Sequence, residues 1–392
     1  MKQAGVVILI LLSIHFWGYV GINPSLYSLT NLLALGIMGI SMVRTLGTPN
    51  LRFSSFIFLY LFGIILNILS AKINNGQSLR DTTFSFFNYY FIIFYFYLHD
   101  KKISRKDLEV IILVFAVLYS IFYLWQEEVF PRRLFHGSIY SNRGTLRIRI
   151  EGNGFLMLAY FMLLTKFLLQ RKIWQIVLAV IFFVILLKGG FRTLTAGAIL
   201  LSGLTLLIMV KYSPVNYLMI VIVTVLFIGV LQLPGYSYII NSMINTTEEQ
   251  QEQGDEYIRH QQYEYFTEAY PKNSSYYIVG GGLPGGYGPY ADYMGLLVEQ
   301  YGFYWVDLGL IGFYFVIGLI ALLGLLGYSL KGVFLKLPPD GLYLNMYFAY
   351  LIIVSVTTME IYRPGIFVVQ AIGLYLLDIA RDEYKELNYQ SE

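Results

Sequence analysis

Long apolar runs alternate with short polar turns along most of the 392-residue chain. A run of about 20 apolar residues is long enough to cross the hydrocarbon core of a bilayer as a helix. The expected fold is therefore an all-α integral membrane protein with a single polytopic domain over residues 1–392. By the same rule the pattern predicts twelve membrane-spanning helices, at roughly residues 4–20, 25–43, 53–71, 84–98, 107–125, 154–170, 173–188, 193–210, 215–233, 308–330, 342–359 and 361–380.

Two polar segments interrupt this pattern and are longer than simple turns. Residues 126–152 form a basic loop, and residues 234–307 form the longest interruption, with charged, aromatic and glycine-rich stretches. Loops of this length between secondary-structure elements are usually functional. We predict that both are extracytoplasmic, that 234–307 is the active-site loop, and that its glycine-rich run 280–288 is a mobile lid.

Composition supports a membrane location and narrows the chemistry. The chain is 57% hydrophobic and only 13% charged, whereas soluble domains are about 25% charged. It has no cysteine, which excludes a disulfide framework, thiol catalysis and thiolate metal sites. The four histidines, His15, His99, His136 and His260, are scattered. We therefore expect neither a metal site nor a cofactor.

The basic residues divide by type between the two sides of the predicted topology. Twelve spans place both termini on one side, and the lysine-rich short loops place that side in the cytoplasm. The planar fork of arginine binds phosphate bidentately, so the arginine-rich outer side is expected to meet a phosphate-bearing ligand. The alternative is snorkelling at helix ends, with ion pairs to outer acids. The outer arginines are Arg80, Arg132, Arg133, Arg143, Arg147, Arg149, Arg192, Arg259 and Arg363. Glu360 and Arg363 flank the outer turn between the last two predicted spans and are expected to pair and fix the turn before Pro364, with a site role as the alternative.

Within the basic loop, Arg147 and Arg149 alternate with apolar residues over 146–150. Side chains two apart on an extended chain lie on the same face, so this alternation predicts that both guanidinium groups point the same way. The segment then passes through Gly152-Asn153-Gly154 into the next span. Glycines at such a position allow the backbone to approach another backbone or a ligand.

A second short motif, Gly189-Gly190-Phe191-Arg192-Thr193, predicts a tight turn between two apolar helices. A cation at the start of a membrane helix is costly unless it faces the protein interior or a ligand. The free amides of a helix N-terminus also favour anions. Arg192 is therefore a candidate phosphate-binding residue, with a lipid-headgroup anchor as the alternative.

Taken together, three features resemble the O-antigen polymerase and O-antigen ligase superfamily of bacterial membrane glycosyltransferases. They are Arg149-Ile150-Glu151-Gly152-Asn153 after a basic loop, the Gly189–Thr193 turn, and the long loop whose last part runs from Asp292 to Phe313. The resemblance covers roughly residues 140–315. It implies a fold like that of the C-type glycosyltransferases, with the active site under a large extracytoplasmic loop.

The resemblance also implies a reaction. The enzyme would polymerise polyprenyl-diphosphate-linked oligosaccharide, such as an undecaprenyl diphosphate derivative, by inverting transfer without a metal. Arg192, Arg259 and either Arg147 or Arg149 match the positions that hold the diphosphate in this family. Donor, acceptor and membrane lipid would be the partners, together with a flippase and a chain-length regulator, and no nucleic acid. The bacterial cytoplasmic membrane would be its location.

The sequence departs from the ligases at Pro289-Tyr290-Ala291-Asp292-Tyr293, where the ligases carry a His-Asn pair. This difference favours a polymerase over a ligase. Sugar transfer needs a base near the acceptor hydroxyl, and His260, Asp292 or a loop glutamate are the candidates. Tyr290 and Tyr293 flank Asp292 in a pattern suited to sugar binding.

A flippase for lipid-linked oligosaccharide is the alternative outside the enzymes. Twelve spans and arginines facing a lipid diphosphate would suit such a transporter. Transporters of that kind usually show repeated halves with short loops, and no second copy of 126–152 or 234–307 is present. The pattern therefore favours the transferase.

Overall fold

The computed structural model describes residues 2–15, 24–48, 51–135, 137–142, 145–211 and 257–391, with isolated positions between 225 and 252. The predicted span 215–233, most of residues 234–256, and Arg143 lie outside the described residues. Most of the described chain is helical, consistent with an all-α membrane protein. The predicted total of twelve spans is not confirmed. Among the described residues, five helices are long and apolar enough to cross a membrane: Leu26–Thr45, Ser54–Asn75, Arg105–Glu128, Asn153–Gln170 and Arg192–Met209.

The described α-helices, numbered in chain order, are α1 Lys2–Ile14, α2 Pro24–Thr45, α3 Ser54–Asn75, α4 Leu79–Ser85, α5 Phe87–Tyr90, α6 Phe94–Lys101, α7 Arg105–Glu128, α8 Asn153–Gln170, α9 Ile173–Lys188, α10 Arg192–Val210, α11 Ile258–Glu264, α12 Ser275–Val279, α13 Pro289–Tyr301, α14 Leu310–Ile317, α15 Leu319–Phe334, α16 Leu342–Ser355 and α17 Ile366–Ser391. Short 3-10 turns lie at Phe91–Ile93, Trp305–Leu308, Pro339–Gly341 and Glu360–Tyr362, and a π-helical turn lies at Tyr265–Ala269.

Helix α8 lies at the centre of the bundle. In an apolar 18-residue stretch of α8, 78% of the residues are buried, compared with 28% in the corresponding stretch of α2. A helix that is apolar all round and buried on all sides belongs to the interior of a membrane bundle, whereas a helix such as α2 leaves most of its surface for lipid. The N-terminus of α8, at Asn153, is therefore held firmly by its surroundings.

Glycines let α3 and α15 pack with their backbones in close approach. A Cβ atom at Gly63 would lie 2.3 Å from the backbone nitrogen of Ala321, and one at Gly324 would lie 2.4 Å from that of Tyr60. Small residues at helix contacts are how membrane helices maximise dispersion contact, because lipid provides no hydrophobic driving force between them.

Two predicted spans are broken into shorter helices. The stretch 84–98 falls across α4, α5, a 3-10 turn and α6. The stretch 308–330 breaks at Gly318, whose φ of 106° favours glycine and ends α14. Backbone groups freed by a break inside a membrane need partners. Here Gly281 and Gly282 donate from their backbone nitrogens to the carbonyls of Phe315 and Val316 at 3.0 and 2.9 Å.

One hairpin departs from the all-α prediction. Strands β1 (Ser138–Asn142) and β2 (Thr145–Arg149) pair antiparallel, with Tyr140 opposite Arg147 and Ser138 opposite Arg149. The strand β2 leads to Gly152, whose φ of 97° turns the chain into α8. The predicted helix start after the basic loop is therefore confirmed. The predicted alternation of arginines with apolar residues over 146–150 lies largely on the strand β2.

Three connections lie at the same end of the bundle: the hairpin, the α9–α10 turn and the turn between α16 and α17. Their residues Arg149, Phe191 and Glu360 line one cleft. We call this the cleft end. The opposite end carries Arg105 at the start of α7, together with the later residues of α8 and α17. We call it the Arg105 end.

Candidate functional site

A cleft opens at the cleft end, and we call it the Arg149 cleft. Five elements that are distant in sequence form it: α7, β2 with the start of α8, the α9–α10 turn, the end of α16 and the 3-10 turn after α16. Its polar wall consists of Tyr119, Tyr123, Arg149, Asn153, Tyr350, Glu360 and Arg363. Its apolar wall includes Leu156, Met157, Ile185, Leu186, Phe191 and Leu194.

Arg147 and Arg149 lie over the ring of Phe191, at 5.4 and 4.2 Å from the guanidinium carbon to the ring centroid. The prediction that both guanidiniums share one face of an extended strand is confirmed. Stacking on an aromatic ring holds a guanidinium by a cation–π interaction of about 0.5–2 kcal/mol. The ring thus orients two cations without neutralising either one.

The second cation of the cleft, Arg363, shares its acidic partner. Its Nη2 lies 3.6 Å from Oε1 of Glu360, which also accepts a hydrogen bond from Nδ2 of Asn153 at 3.4 Å. The predicted pairing of Glu360 with Arg363 is confirmed. Burial and the nearby Arg363 lower the pKa of Arg149, which shows that the two guanidiniums repel each other. Glu360 and Asp307 act in the opposite sense and raise the pKa of Arg149, but among the described residues no carboxylate forms an ion pair with it.

Several polar atoms of the cleft remain available to a ligand. The Oδ1 of Asn153 and the hydroxyl of Tyr350 are buried and have no hydrogen-bond partner among the described residues, and neither does Nε of Arg147. Most buried polar groups in proteins are hydrogen-bonded. The cleft therefore offers donors and an acceptor in addition to its excess positive charge.

The 3-10 turn that carries Glu360 and Arg363 is held firmly by buried hydrogen bonds. The backbone nitrogen of Ile361 donates to Oγ of Ser355 at 2.7 Å, and Nε2 of Gln370 donates to the carbonyl of Ile361 at 2.5 Å. Tyr328 in turn donates from its hydroxyl to Oε1 of Gln370 at 2.5 Å. A charge fixed in this way does not have to reorganise when a ligand arrives.

Glu151 lies between the two cleft residues Arg149 and Asn153 in sequence. A Cβ atom at Gly365 would lie 2.4 Å from Oε2 of Glu151, so only glycine leaves room for this carboxylate. Burial raises the pKa of Glu151 to about 7, although Arg363 lowers it and Glu360 raises it. Because this pKa is close to neutral pH, Glu151 carries only part of a negative charge there and does not fully neutralise a second arginine of the cleft.

Comparison with models of protein families, with curated proteins and with solved structures finds no match for this chain. Across the described ranges no group of three His, Asp or Glu side chains is arranged to hold a metal ion. The candidate site therefore depends on its own geometry: a cleft with two arginines, a glutamate paired with one of them, and an apolar wall.

The arginines predicted from the sequence separate into two groups. Arg149 lines the cleft, and Arg147 shares the Phe191 ring with it. Arg192 follows Phe191 but does not line the cleft, and its Nη1 donates to Oγ1 of Thr247 at 2.5 Å. Arg259 lies on α11 and does not line the cleft either.

The residues predicted for acid–base chemistry, His260 and Asp292, lie elsewhere in the described structure. Both are exposed and neither lines the Arg149 cleft. The ring of His260 contacts that of Tyr257 at 6.0 Å between centroids. Asp292 lies in the first turn of α13, where a carboxylate interacts favourably with the helix dipole. The geometry gives neither one a role in this cleft.

The two predicted sugar-binding tyrosines differ from each other. Tyr290 is 4% exposed, and its hydroxyl donates to the carbonyl of Gly282 at 2.7 Å and bonds to the hydroxyl of Tyr270. Tyr290 is therefore packed inside the protein in this structure, and its role in sugar binding stays a prediction. Tyr293 is 37% exposed, and its hydroxyl bonds to that of Tyr265.

The glycine-rich run is fastened to α3, in contrast to the predicted mobile lid. Asn67 donates from Nδ2 to the carbonyls of Val279 and Val316 at 2.7 and 2.8 Å, and its Oδ1 accepts from the backbone of Leu283 at 3.1 Å. Farther along α3, Asn75 donates to the carbonyl of Gly281 at 2.6 Å. The glycines are needed here for close packing between backbones.

Sequence reasoning missed part of the cleft. Glu360 and Arg363 were recognised only as a pair that fixes a turn, and Phe191 only as part of the Gly189–Thr193 motif. Tyr119 and Tyr350 carry no local signal, because a tyrosine in an apolar helix looks like a packing residue. The sequence offered one signal for this part of the cleft. It is the acid Glu360 and the cation Arg363, three positions apart and directly before Pro364-Gly365.

Proposed function

We propose that this chain is a membrane glycosyltransferase that uses a polyprenyl-diphosphate-linked oligosaccharide as its donor, and that the Arg149 cleft is its active site. The single observation that carries the proposal is that Arg149 and Arg363 line one cleft at the end of a membrane bundle, where Arg363 pairs with Glu360 and Arg149 lies on the Phe191 ring. A diphosphate is the common anion whose charge and geometry suit two guanidiniums. The wall of Leu156, Ile185 and Leu194 supplies an apolar surface for the first isoprene units.

The same cations would serve the chemical step. When the bond from the anomeric carbon to the diphosphate breaks, negative charge grows on the leaving oxygen. Preorganised guanidiniums stabilise such charge more in the transition state than in the ground state, which is the requirement for catalysis. Arg149 and Arg363 are the groups to which we assign this role.

Among transferases of this chemistry we propose polymerisation of lipid-linked repeat units. The resemblance to the O-antigen polymerase and ligase superfamily supports this choice, and the absence of a His-Asn pair at 289–293 favours the polymerase. On this proposal the cleft end faces the outside of a bacterial cytoplasmic membrane. Transfer would be inverting and would need no metal.

The test is a reaction with purified protein in lipid, polyprenyl-diphosphate oligosaccharide extracted from the native host, excess chelator and no nucleotide sugar. A ladder of lengthening lipid-linked chains on a gel is the expected result. Absence of a ladder, together with movement of the lipid-linked sugar across a liposome bilayer, would instead identify a flippase and overturn the proposal.

A further inference from the structure

Two wall residues of the Arg149 cleft, Asn153 and Tyr350, carry hydrogen-bonding atoms that the protein does not use. Both residues line the cleft. The Oδ1 of Asn153 and the hydroxyl of Tyr350 are buried, and neither has a hydrogen-bond partner among the described residues. Native proteins seldom leave buried polar atoms unpaired, because each such atom has lost its hydrogen bonds to water. Two of them in one cleft point to a ligand that completes their hydrogen bonds.

The amide of Asn153 is oriented by its contact with Glu360. Its Nδ2 donates to Oε1 of Glu360 at 3.4 Å. The opposite orientation would place Oδ1 against an ionised carboxylate, which only accepts hydrogen bonds, so this contact decides which amide atom faces Glu360. The Oδ1 atom is left as an acceptor next to the ion pair of Glu360 and Arg363.

The ring of Tyr350 is held between two neighbouring helices. Tyr350 is fully buried on α16, and its ring centroid lies 5.8 Å from that of Phe161 on α8. On α10, a Cβ atom at Gly197 would lie 3.4 Å from Cε2 of Tyr350. A ring packed on both sides has little rotamer freedom left to lose when a ligand binds to its hydroxyl.

The types of these atoms indicate which part of a lipid-linked donor they can bind. The Oδ1 of an amide accepts hydrogen bonds and does not donate them, so its partner must carry an O–H or N–H group. An ionised diphosphate only accepts hydrogen bonds, and a polyprenyl chain neither donates nor accepts them. The sugar is the part of the donor that carries O–H and acylamino N–H groups. An unpaired acceptor in the cleft is therefore suited to the sugar and not to the diphosphate.

We propose that Asn153 and Tyr350 form the subsite for the sugar residue attached to the diphosphate of the donor. This inference rests on the proposed function. Oδ1 of Asn153 accepts a hydrogen bond from a hydroxyl or amide group of that sugar, and the hydroxyl of Tyr350 bonds to a second polar group on it. Arg149 and Arg363 hold the diphosphate in the same cleft. A sugar that lacks these polar groups leaves the buried atoms unpaired and is rejected.

The experiment compares wild type with Y350F, N153A and the matched control Y347F. Tyr347 lies on the same helix, is fully buried and also has a buried hydroxyl without a partner in the described part of the chain. Its hydroxyl interacts electrostatically with Glu360 and Arg363, as does that of Tyr350. Tyr347 does not line the cleft, so the control differs from Y350F in this one respect.

Each protein is titrated in nanodiscs with two probes, undecaprenyl diphosphate and undecaprenyl diphosphate that carries the oligosaccharide of the native host. The sugar gain is the dissociation constant of the first probe divided by that of the second. The free diphosphate has one more ionisable oxygen than the glycosylated one. The sugar gain is therefore compared between proteins, which cancels this difference in charge.

For Y350F we expect a sugar gain about 3- to 10-fold below wild type, and undecaprenyl diphosphate affinity within about 2-fold of wild type, because one hydrogen bond to the sugar is lost. N153A should lower the sugar gain by a similar factor, and it serves if Y350F does not fold. Y347F should bind both probes like wild type.

Three results would overturn the inference while leaving the proposed function intact. The first is a wild-type sugar gain in either folded variant, Y350F or N153A. The second is an equal loss of affinity for both probes in Y350F, which would show that the hydroxyl does not act on the sugar. The third is an equal loss of sugar gain in Y347F. If wild type binds neither probe, the proposed function fails and the inference fails with it.

Discussion

At the Arg105 end of the bundle two cations, Arg105 and Lys166, contact three carboxylates, whereas in the Arg149 cleft the described residues form one ion pair, Arg363 with Glu360. Arg105 contacts Glu109, Asp340 and Glu383 at 3.1, 3.0 and 2.6 Å. Lys166 contacts the other oxygen of Glu109 at 2.5 Å. These side chains link α7, α8 and α17, and their hydrogen-bonding capacity is used within the protein.

The Arg149 cleft uses the same residue types in a different way. Arg363 reaches Glu360 at 3.6 Å, beyond ordinary hydrogen-bond distance, and Arg149 rests on the ring of Phe191 at 4.2 Å. Buried charges inside membrane proteins are costly, so they are retained where they are paired or where they meet a substrate. The comparison shows that the charges at the Arg105 end are used within the protein, whereas those of the cleft are the ones that we propose bind a ligand.

The largest expected effect comes from replacing Arg149. We expect Arg149→Ala to lower the rate of ladder formation by about 100- to 1,000-fold, because one preorganised charge at the leaving group is lost. Thermal stability should not fall, since Arg149 repels Arg363. Arg259→Ala, a variant away from the cleft, should change the rate by less than about 3-fold. Equal losses in both variants would contradict the contrast between the cleft and the remaining outer arginines.

The corresponding variant at the other end should affect stability instead of activity. Arg105→Ala removes the cation that contacts Asp340 and Glu383 and leaves Glu109 with Lys166 alone. Breaking a buried pair costs up to about 3–5 kcal/mol. We expect a lower unfolding midpoint in detergent and an unchanged rate per folded molecule. Lys101→Ala, which removes the more exposed pair with Asp100 at 2.8 Å, should cost at most about 1 kcal/mol. Similar losses for both would undermine the structural role of the Arg105 network.

A smaller effect is expected at the ring that supports the cleft arginines. Phe191→Leu keeps the apolar contact but removes the cation–π interaction, worth about 0.5–2 kcal/mol. We expect undecaprenyl diphosphate affinity to fall by about 3- to 30-fold, measured by titration in nanodiscs. Phe191→Tyr preserves the aromatic face and should bind like wild type. An unaffected leucine variant would show that the ring does not orient the arginines.

The smallest effect concerns stability against pH. Because the pKa of Glu151 is about 7 in the folded protein against 4.5 for the free group, the folded state keeps a proton that the unfolded chain releases. This contribution to stability is complete below about pH 4.5 and is lost as pH rises through 7. The slope of unfolding midpoint against pH should therefore be less negative in E151Q than in wild type. Identical slopes would refute the raised pKa.

The part of the cleft that is local in sequence could be predicted. Alternation over 146–150 placed Arg147 and Arg149 on one face, and Gly189-Gly190 marked the turn before Phe191. Both are short-range properties of the backbone, which depend on strand geometry and on the conformational freedom of glycine. Composition was also sufficient for the helical membrane class.

The remainder depends on contacts between distant segments. Arg363 meets Arg149 only because α17 packs beside α8, and no local pattern encodes that neighbourhood. The run Gly280–Gly282 resembles a lid in sequence, yet its carbonyls accept hydrogen bonds from Ser70 and Asn75 of α3 and its amides donate to the broken helix before Gly318. His260 and Asp292 were predicted from the chemistry of their side chains alone. Side-chain chemistry does not determine where a residue lies in the fold, and both residues are exposed outside the Arg149 cleft.

The central claim is that the Arg149 cleft binds the diphosphate of a lipid-linked donor, and the most direct measurement is titration of undecaprenyl diphosphate into wild type, Arg149→Ala and Arg105→Ala in nanodiscs. The account predicts saturable binding that weakens at least about 10-fold in Arg149→Ala and is unchanged in folded Arg105→Ala. Equal affinity in wild type and Arg149→Ala would contradict it.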